Sequence, residues 1–319
     1  MLRAAGCGKI LIPAMVKEGY DTRFAIALTA CSSVMGVIIP PSILMVVWGG
    51  VMQISVGALF LAGAIPGLLI GFALMATVYG YAKVYDYPIA LKPTFAEFWS
   101  AFKGAALAML TPIFVIGGIV GGIVTPTERA IIAAGYTLIL GFFVYRTVTF
   151  KELGHIFYDT GRFASISLFA IGTASAFGWM LAFYNVPRLI VDAMTAHEFG
   201  MIGTSLIIAA LFLFFGLFID AIPTIIILGT VLMPVATAAG IHPIAFAIIG
   251  IISLAFGLVT PPYGLCLLIS ASIGGMNVVS VMRDVCIILA PMLLILLLLI
   301  LFPEIALWLP RTLMPNTFQ

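Results

Sequence analysis

Two adjacent prolines interrupt an apolar stretch, Met35-Gly36-Val37-Ile38-Ile39-Pro40-Pro41-Ser42, and return 221 positions later in Phe256-Gly257-Leu258-Val259-Thr260-Pro261-Pro262-Tyr263. The same offset pairs Gly8 with Gly229, Pro13 with Pro234, Gly19 with Gly240, Ser32 with Ser253, Gly36 with Gly257 and Leu44 with Leu265. After a four-residue insertion, Pro66-Gly67-Leu68-Leu69-Ile70 meets Pro291-Met292-Leu293-Leu294-Ile295. Leucine matches between apolar segments carry no weight alone. Serine, glycine and a double proline in one register mark a duplication. Proline donates no backbone hydrogen bond and its ring obstructs the helix behind it, so each half holds a broken helix at a matching place. Such paired breaks point to a binding site at the middle of a membrane.

Composition says what the halves are immersed in. Of 319 residues, 63% are hydrophobic and only 8% charged, too few charges to cover a water-soluble domain of this size. Apolar runs long enough to span recur over 22–50, 55–82, 104–124, 128–145, 163–185, 200–219, 243–272 and 285–303. The fold class is therefore all-α, a multi-span membrane protein in a lipid bilayer. Short strands of alternating polarity are absent, which excludes a β-barrel. Cys7, Cys31, Cys266 and Cys286 have no CxxC spacing and read as small core residues. A net charge of +2 without a basic run gives no reason to expect nucleic acid. No cleavable signal peptide opens the chain.

Positive charge is uneven between spans. Lys9, Lys17 and Arg23 precede the first, Lys83, Lys92 and Lys103 occupy a later loop, and Arg146, Lys151 and Arg162 the next. The positive-inside rule then places 1–21, 83–103 and 146–162 in the cytoplasm. Counting spans leaves Gly240 and His242 outside, whereas their equivalents Gly19 and Asp21 are inside. The halves run in opposite directions, the inverted-topology arrangement. The chain divides into a first repeat, 1–82, with broken helix 22–50; a central scaffold with interfacial helices, 83–199; and a second repeat, 200–319, with hairpin 200–239 and broken helix 243–272. That hairpin is either re-entrant or two full spans. Thr94-Phe95-Ala96-Glu97 and Thr149-Phe150-Lys151-Glu152 are capping boxes. Each starts an amphipathic helix that either lies at the membrane interface or packs on the bundle as a loop helix.

Around Gly36–Ser42 the carbonyls near 36–38 lose their helical donors, and bare carbonyls cannot face lipid. They must meet protein, water or a cation. Ser32 and Ser33 add hydroxyl oxygens one turn earlier, an uncharged oxygen-rich set suited to a hard monovalent cation. The second copy offers Ser253, Gly257 and Thr260. Asp220 is the one carboxylate inside a long apolar stretch, either a functional acid or the N-cap of the helix starting at Pro223-Thr224. Glu128 and Arg129, after Thr125-Pro126-Thr127, suit a tight turn at a helix start. His242 precedes Pro243 and suits a cap, while His155 and His197 read as loop residues. No HExxH, GxSxG or phosphate-binding loop is present, so the chain does not read as an enzyme. A channel would need a continuous polar lining, and isolated breaks favour alternating access.

The motifs Ser32-Ser33-x-x-Gly36-x-Ile38-Ile39-Pro40-Pro41-Ser42, Ser55-Val56-Gly57-Ala58-Leu59-Phe60-Leu61-Ala62-Gly63, Thr125-Pro126-Thr127-Glu128, Asp220-x-x-Pro223-Thr224 and Gly257-Leu258-Val259-Thr260-Pro261-Pro262 resemble the large membrane subunit of the tripartite ATP-independent periplasmic (TRAP) transporters, the DctM family. The resemblance covers essentially the whole chain. It implies a sodium-coupled symporter of the bacterial inner membrane. Its substrate would be an organic acid, such as a C4-dicarboxylate, sialic acid or a related carboxylate, delivered by a periplasmic binding protein. An elevator-type transport domain would move against a scaffold braced by a small membrane subunit. Sodium serves as the coupling ion and no other cofactor is expected. Residue by residue, the resemblance implies sodium ligands at Ser32, Ser33 and Gly36 and, in a second site, at Thr224, Gly257 and Thr260. It implies substrate contacts at Pro41, Ser42, Asp220, Pro262 and Tyr263. The family usually carries a longer leading segment with a hairpin bearing Gly-Ser-x-x-Ala-Asp, and Arg3 stands where that Asp falls. On that comparison the chain is expected to be N-terminally truncated, which adds an alternative function: a transport-incompetent remnant or assembly partner.

Overall fold

The computed structural model describes residues 2–87, 94–120, 126–196, 199–261 and 263–315. Among these the regular structure is helical throughout, with no strand. The first repeat comprises α1 (Leu2–Lys17), α2 (Thr22–Ser33), the single turn α3 (Met35–Ile38), α4 (Ile43–Met52) and α5 (Val56–Val84). The middle of the chain forms α6 (Phe95–Val120), α7 (Pro126–Ile139), α8 (Phe150–Phe183) and α9 (Val186–Ala196), with a wider π-helical turn at Leu140–Val144 after α7. The second repeat comprises α10 (Gly200–Phe218), α11 (Ala221–Thr224), a π-helical turn Ile225–Gly229, α12 (Thr230–Ala238), α13 (Pro243–Gly257), α14 (Leu265–Ile273) and α15 (Val278–Leu301). A short helix, α16 (Glu304–Leu313), closes the described chain. Among the described residues, five helices are long and apolar enough to cross a membrane, and a sixth span results if α2–α3 and α4, bent by 41° at their break, count as one.

The offset seen in the sequence recurs in the local chemistry. Asp21 and His242 occupy equivalent N-caps, each side chain accepting from the backbone N–H two residues on, which satisfies a donor the first turn leaves bare. Gly19 and Gly240, just upstream, both take positive φ, 93° and 79°, a conformation glycine adopts without penalty. Ser55 caps α5, accepting from the N–H three residues on, and Asn277 caps α15, accepting from the N–H two residues on. Pro66 and Pro291 lie inside those helices.

Packing follows the same exchange. α1 lies against α14, and the π-helical turn before α12 lies against α4; α2 packs on α15, α13 on α5, and α5 on α15. The two broken helices enter from opposite ends. The start of α2 shares a pocket with the start of α15, whereas the start of α13 lies by α16, which follows the end of α15. The repeats are thus inverted relative to each other. The core of this region lies along α13, where Ile244 through Gly257 are all buried.

Contacts divide the chain into two compact units, Met1–Pro88 with Ala174–Gln319, and Ile89–Thr173. In the second unit Tyr136 and Tyr145 donate to the carbonyls of Leu107 and Gly104, tying α7 and its π-helical turn to α6. The capping boxes form: the backbone N–H groups of Thr94 and Thr149 each donate to the glutamate three residues on, at 2.8 Å. The helices they start do not stop where the apolar stretches begin. α6 and α8 run without interruption from the capping boxes into the apolar stretches, because no proline lies between either capping box and the start of its apolar stretch. His155 sits on α8, 3.4 Å from Asp159, so it is not a loop residue. Thr125 and His197 lie outside the described residues.

Candidate functional site

Three chain breaks or tips are drawn together in the first unit. α3 and α4, which flank the first break, both lie on α13. The hairpin tip between α10 and α12 packs on α4, and Met52 sits where a side chain at Gly229 would point. α10 runs along α13 with no room for a side chain at their crossing: a Cβ on Gly257 would meet the backbone of Gly216 at 2.8 Å. At the end of that crossing the rings of Phe218 and Tyr263 lie 5.7 Å apart, joining the hairpin tip to the second break.

At the first break, Ser42 is buried and caps α4, accepting from the N–H of Met45 at 3.4 Å. Its hydroxyl hydrogen goes back to the carbonyl of Val37. One of the oxygens expected to be bare is therefore met by the serine expected to approach substrate. The carbonyl of Ile38 has no helical donor and faces α5, where Gly63 leaves only a 3.0 Å gap for a Cβ. Ser32 and Ser33 are half-buried and donate to the carbonyls of Thr29 and Ala30, at 3.2 and 2.7 Å. Each hydroxyl thus spends its hydrogen on its own helix and keeps lone pairs for another partner. Gly36 lies within α3, and Pro41 is half-buried in the break.

The second break is more self-satisfied. The carbonyl of Phe256 accepts from both the N–H and the hydroxyl of Thr260, at 2.9 and 2.7 Å, and that of Leu258 accepts from Cys266 N–H at 2.9 Å. Gly264 lets the returning chain pass within 2.7 Å of the Leu258 oxygen, measured from where a Cβ would stand. Thr260 is half-buried and Tyr263 exposed, and Pro262 lies outside the described residues. At the hairpin tip Asp220 has the extended backbone of an N-cap, but among the described residues its carboxylate makes no cap bond, no ion pair and no other hydrogen bond. The cap is fulfilled in position only. Its backbone oxygen instead receives the N–H and hydroxyl of the buried Thr224, at 3.3 and 2.9 Å.

Sequence reasoning named one of four buried groups in the surrounding helices, Ser253, and missed the other three. Thr29 Oγ1, Trp48 Nε1, Ser253 Oγ and Ser270 Oγ have no hydrogen-bond partner among the described residues, a costly condition for buried polar atoms. Ser253 had a signal, since it stands opposite Ser32 in the repeat. The indole of Trp48 had none. It lies against Phe212 and Phe246, at 5.5 and 5.3 Å, where Gly250 leaves space.

Known proteins agree with this architecture. The family model described as "Tripartite ATP-independent periplasmic transporter, DctM component" matches residues 2–305. The sialic acid TRAP transporter permease protein SiaT of Haemophilus influenzae is 37% identical over 98% of this chain and 51% of its own length. The sialic acid TRAP transporter large permease protein SiaM of Vibrio cholerae is 36% identical over 97% of this chain and 72% of its own. The C4-dicarboxylate TRAP transporter large permease protein DctM of Pseudomonas aeruginosa is 33% identical over 88% and 65%. The chain thus spans about half the length of SiaT and under three quarters of the other two. A match over almost every residue, on a fold with two inverted broken helices and a hairpin, leads to one conclusion: this chain belongs to the DctM component family of the tripartite ATP-independent periplasmic transporters.

Proposed function

We propose that the chain forms the membrane core of a permease that carries a small organic carboxylate across the bacterial inner membrane by sodium symport. The observation that carries this reading is the meeting of the second break with the hairpin tip, Phe218 against Tyr263, on a bundle that also holds the first break. The names of relatives suggest the cargo class, sialic acid or a C4-dicarboxylate. Delivery by a periplasmic binding protein and bracing by a small membrane subunit belong to the same proposal, as does elevator-like movement of the broken helices against α5 and α15.

In this reading Ser32, Ser33 and Gly36 form one sodium site, and Thr224, Gly257 and Thr260 the second. Hydroxyl and carbonyl oxygens without formal charge suit a monovalent cation. Ser42, Pro41, Pro262 and Tyr263 stand at the carboxylate's approach. Asp220 carries the only negative charge among the described residues of the hairpin tip and makes no side-chain hydrogen bond or ion pair with any of the described residues, so it serves there as counter-charge while a cation is bound.

The test is uptake of a labelled carboxylate into proteoliposomes containing the chain, a small membrane subunit and a binding protein, driven by sodium, potassium or proton gradients. Sodium alone should support accumulation. Equal uptake with every gradient, or none with correctly inserted protein, overturns the proposal. Thr260→Val keeps side-chain volume and removes the hydroxyl. It should raise the half-saturating sodium concentration by about tenfold, the size of one lost hydrogen bond to a charged species, with unchanged protein in the membrane. An unaltered sodium dependence removes Thr260 from the site.

A further inference from the structure

A cavity of about 160 Å³ opens where α2 and α15 begin and α5 ends. These are the ends of apolar spans, and the lysine and arginine distribution places the α2 and α5 ends in the cytoplasm. The cavity therefore lies level with lipid headgroups. Three tyrosines line it. Tyr81 and Tyr85 stack at 5.3 Å, Tyr85 and Tyr87 at 6.1 Å, and Phe24 closes the circle against Tyr81 and Tyr87 at 4.7 and 5.3 Å. Beside it Lys83 lies over the exposed ring of Tyr79 at 4.8 Å. Aromatic rings and snorkelling lysines are what a protein presents at that depth.

The charges in the cavity are unevenly used. Asp21 and Arg23 satisfy each other: the guanidinium donates to both carboxylate oxygens, and the Arg23 N–H adds a third bond at 2.7 Å. Asp284 accepts from the Tyr81 hydroxyl on Oδ1, at 3.0 Å, and its other oxygen has no hydrogen-bond partner among the described residues. Arg283, exposed, has neither a hydrogen bond nor an ion pair among the described residues, although Asp284 is its neighbour. One cation and one carboxylate oxygen are thus left over in a cavity walled by rings.

We propose that this cavity binds the headgroup of a zwitterionic aminophospholipid. The phosphate sits on Arg283, and the primary ammonium sits on the free oxygen of Asp284 and the adjoining tyrosine face. A purely anionic headgroup would meet the unpaired Asp284 oxygen, and a purely cationic one Arg283. The acyl chains have exposed apolar surface to follow at Val84 and Val279, 78% and 70% exposed, directly beside the lining residues. Basic pockets between membrane helices are the usual headgroup sites, and the extra carboxylate sets the preference here.

The experiment is native mass spectrometry of the delipidated chain in mild detergent, titrated with phosphatidylethanolamine, phosphatidylglycerol and soluble phosphoethanolamine. One saturable phosphatidylethanolamine adduct is expected, tighter than either alternative. Arg283→Ala should weaken it by about fivefold, the share of one basic group at a membrane surface, whereas Arg188→Ala, outside the cavity, should not. Asp284→Asn still accepts from Tyr81 but removes the negative charge, so it should turn the preference toward phosphatidylglycerol. Ser280→Trp, at an exposed position on the rim, should block the adduct without touching either charge. Equal binding of the two lipids by the unaltered chain overturns the proposal, as does a phosphatidylethanolamine adduct indifferent to both Arg283→Ala and Ser280→Trp. Soluble phosphoethanolamine binding as tightly as the lipid overturns the lipid assignment.

Discussion

Gly257 reads in the sequence as a flexible position before a proline pair, and the structure gives it a steric duty as well. Its missing side chain allows α13 to lie on α10, where a Cβ would stand 2.8 Å from backbone atoms of Gly216 and from the oxygen of Leu213. Backbone cannot swing aside as a long side chain can. Gly257→Ala should therefore destabilise the chain by about 1–3 kcal/mol, the usual cost of overpacking, read as a lower unfolding temperature in detergent. Gly135→Ala is the matched control. It lies within α7 with nothing near its Cβ, and should be neutral or gain up to about 1 kcal/mol from helix propensity. If the two variants unfold together, the close crossing is wrong. A loss of sodium dependence in Gly257→Ala alone would not assign a ligand, because moving α13 would disturb the break in any case. Thr260→Val separates these effects, since it leaves the crossing alone.

The start of α13 makes a prediction of a different kind. His242 Nδ1 accepts from the N–H of Ile244 at 3.2 Å, which requires a neutral ring at that nitrogen. Burial lowers its pKa below the ordinary 6.5, nearby Arg311 lowers it further, and Glu304 opposes them. The unfolded chain then binds this proton more readily than the folded one, so stability rises with pH through this region. The contribution is present above pH 6.5 and is lost as pH falls below it toward the folded pKa. Unfolding temperatures measured between about pH 5 and 8 should fall on the acid side. His242→Asn, which caps without titrating, should flatten that part of the curve. His242→Ala should cost about 1 kcal/mol at the neutral end, and an unchanged pH profile in the asparagine variant would remove His242 from the cause. This cap was legible in advance, as were the breaks, because His, Pro and Gly act through their own backbone geometry. The continuity of α6 and α8 was not, since an amphipathic start and an apolar continuation have no boundary residue between them to read. The cavity beside Tyr81 was also hidden, because its lining comes from three helices far apart in sequence.

The two repeats are equivalent in path but not in filling, and the difference governs how the unit comes apart. Thr29 in α2 of the first repeat and Ser270 in α14 of the second carry hydroxyls that have no hydrogen-bond partner among the described residues. Their equivalents by the 221-residue offset, Gly250 and Gly49, have no side chain, and the Trp48 ring fills the space at Gly250, touching α10 and α13 through Phe212 and Phe246. Trp48 belongs to the first repeat and its neighbours to the second. Within a bilayer such packing holds helices together, because lipid offers no hydrophobic drive between them. Trp48→Ala should therefore loosen the contact between repeats. The cost should be about 3–5 kcal/mol, as for a large aromatic removed from a soluble core. If the repeats stabilise only each other, the variant will melt earlier but still in one transition, because neither half retains a partner for its broken helix. Two separated transitions in Trp48→Ala would mean that each repeat is stable alone. The exchange of α2 onto α15 and α13 onto α5 argues against that outcome, since every broken helix in this unit rests on the long helix of the other half.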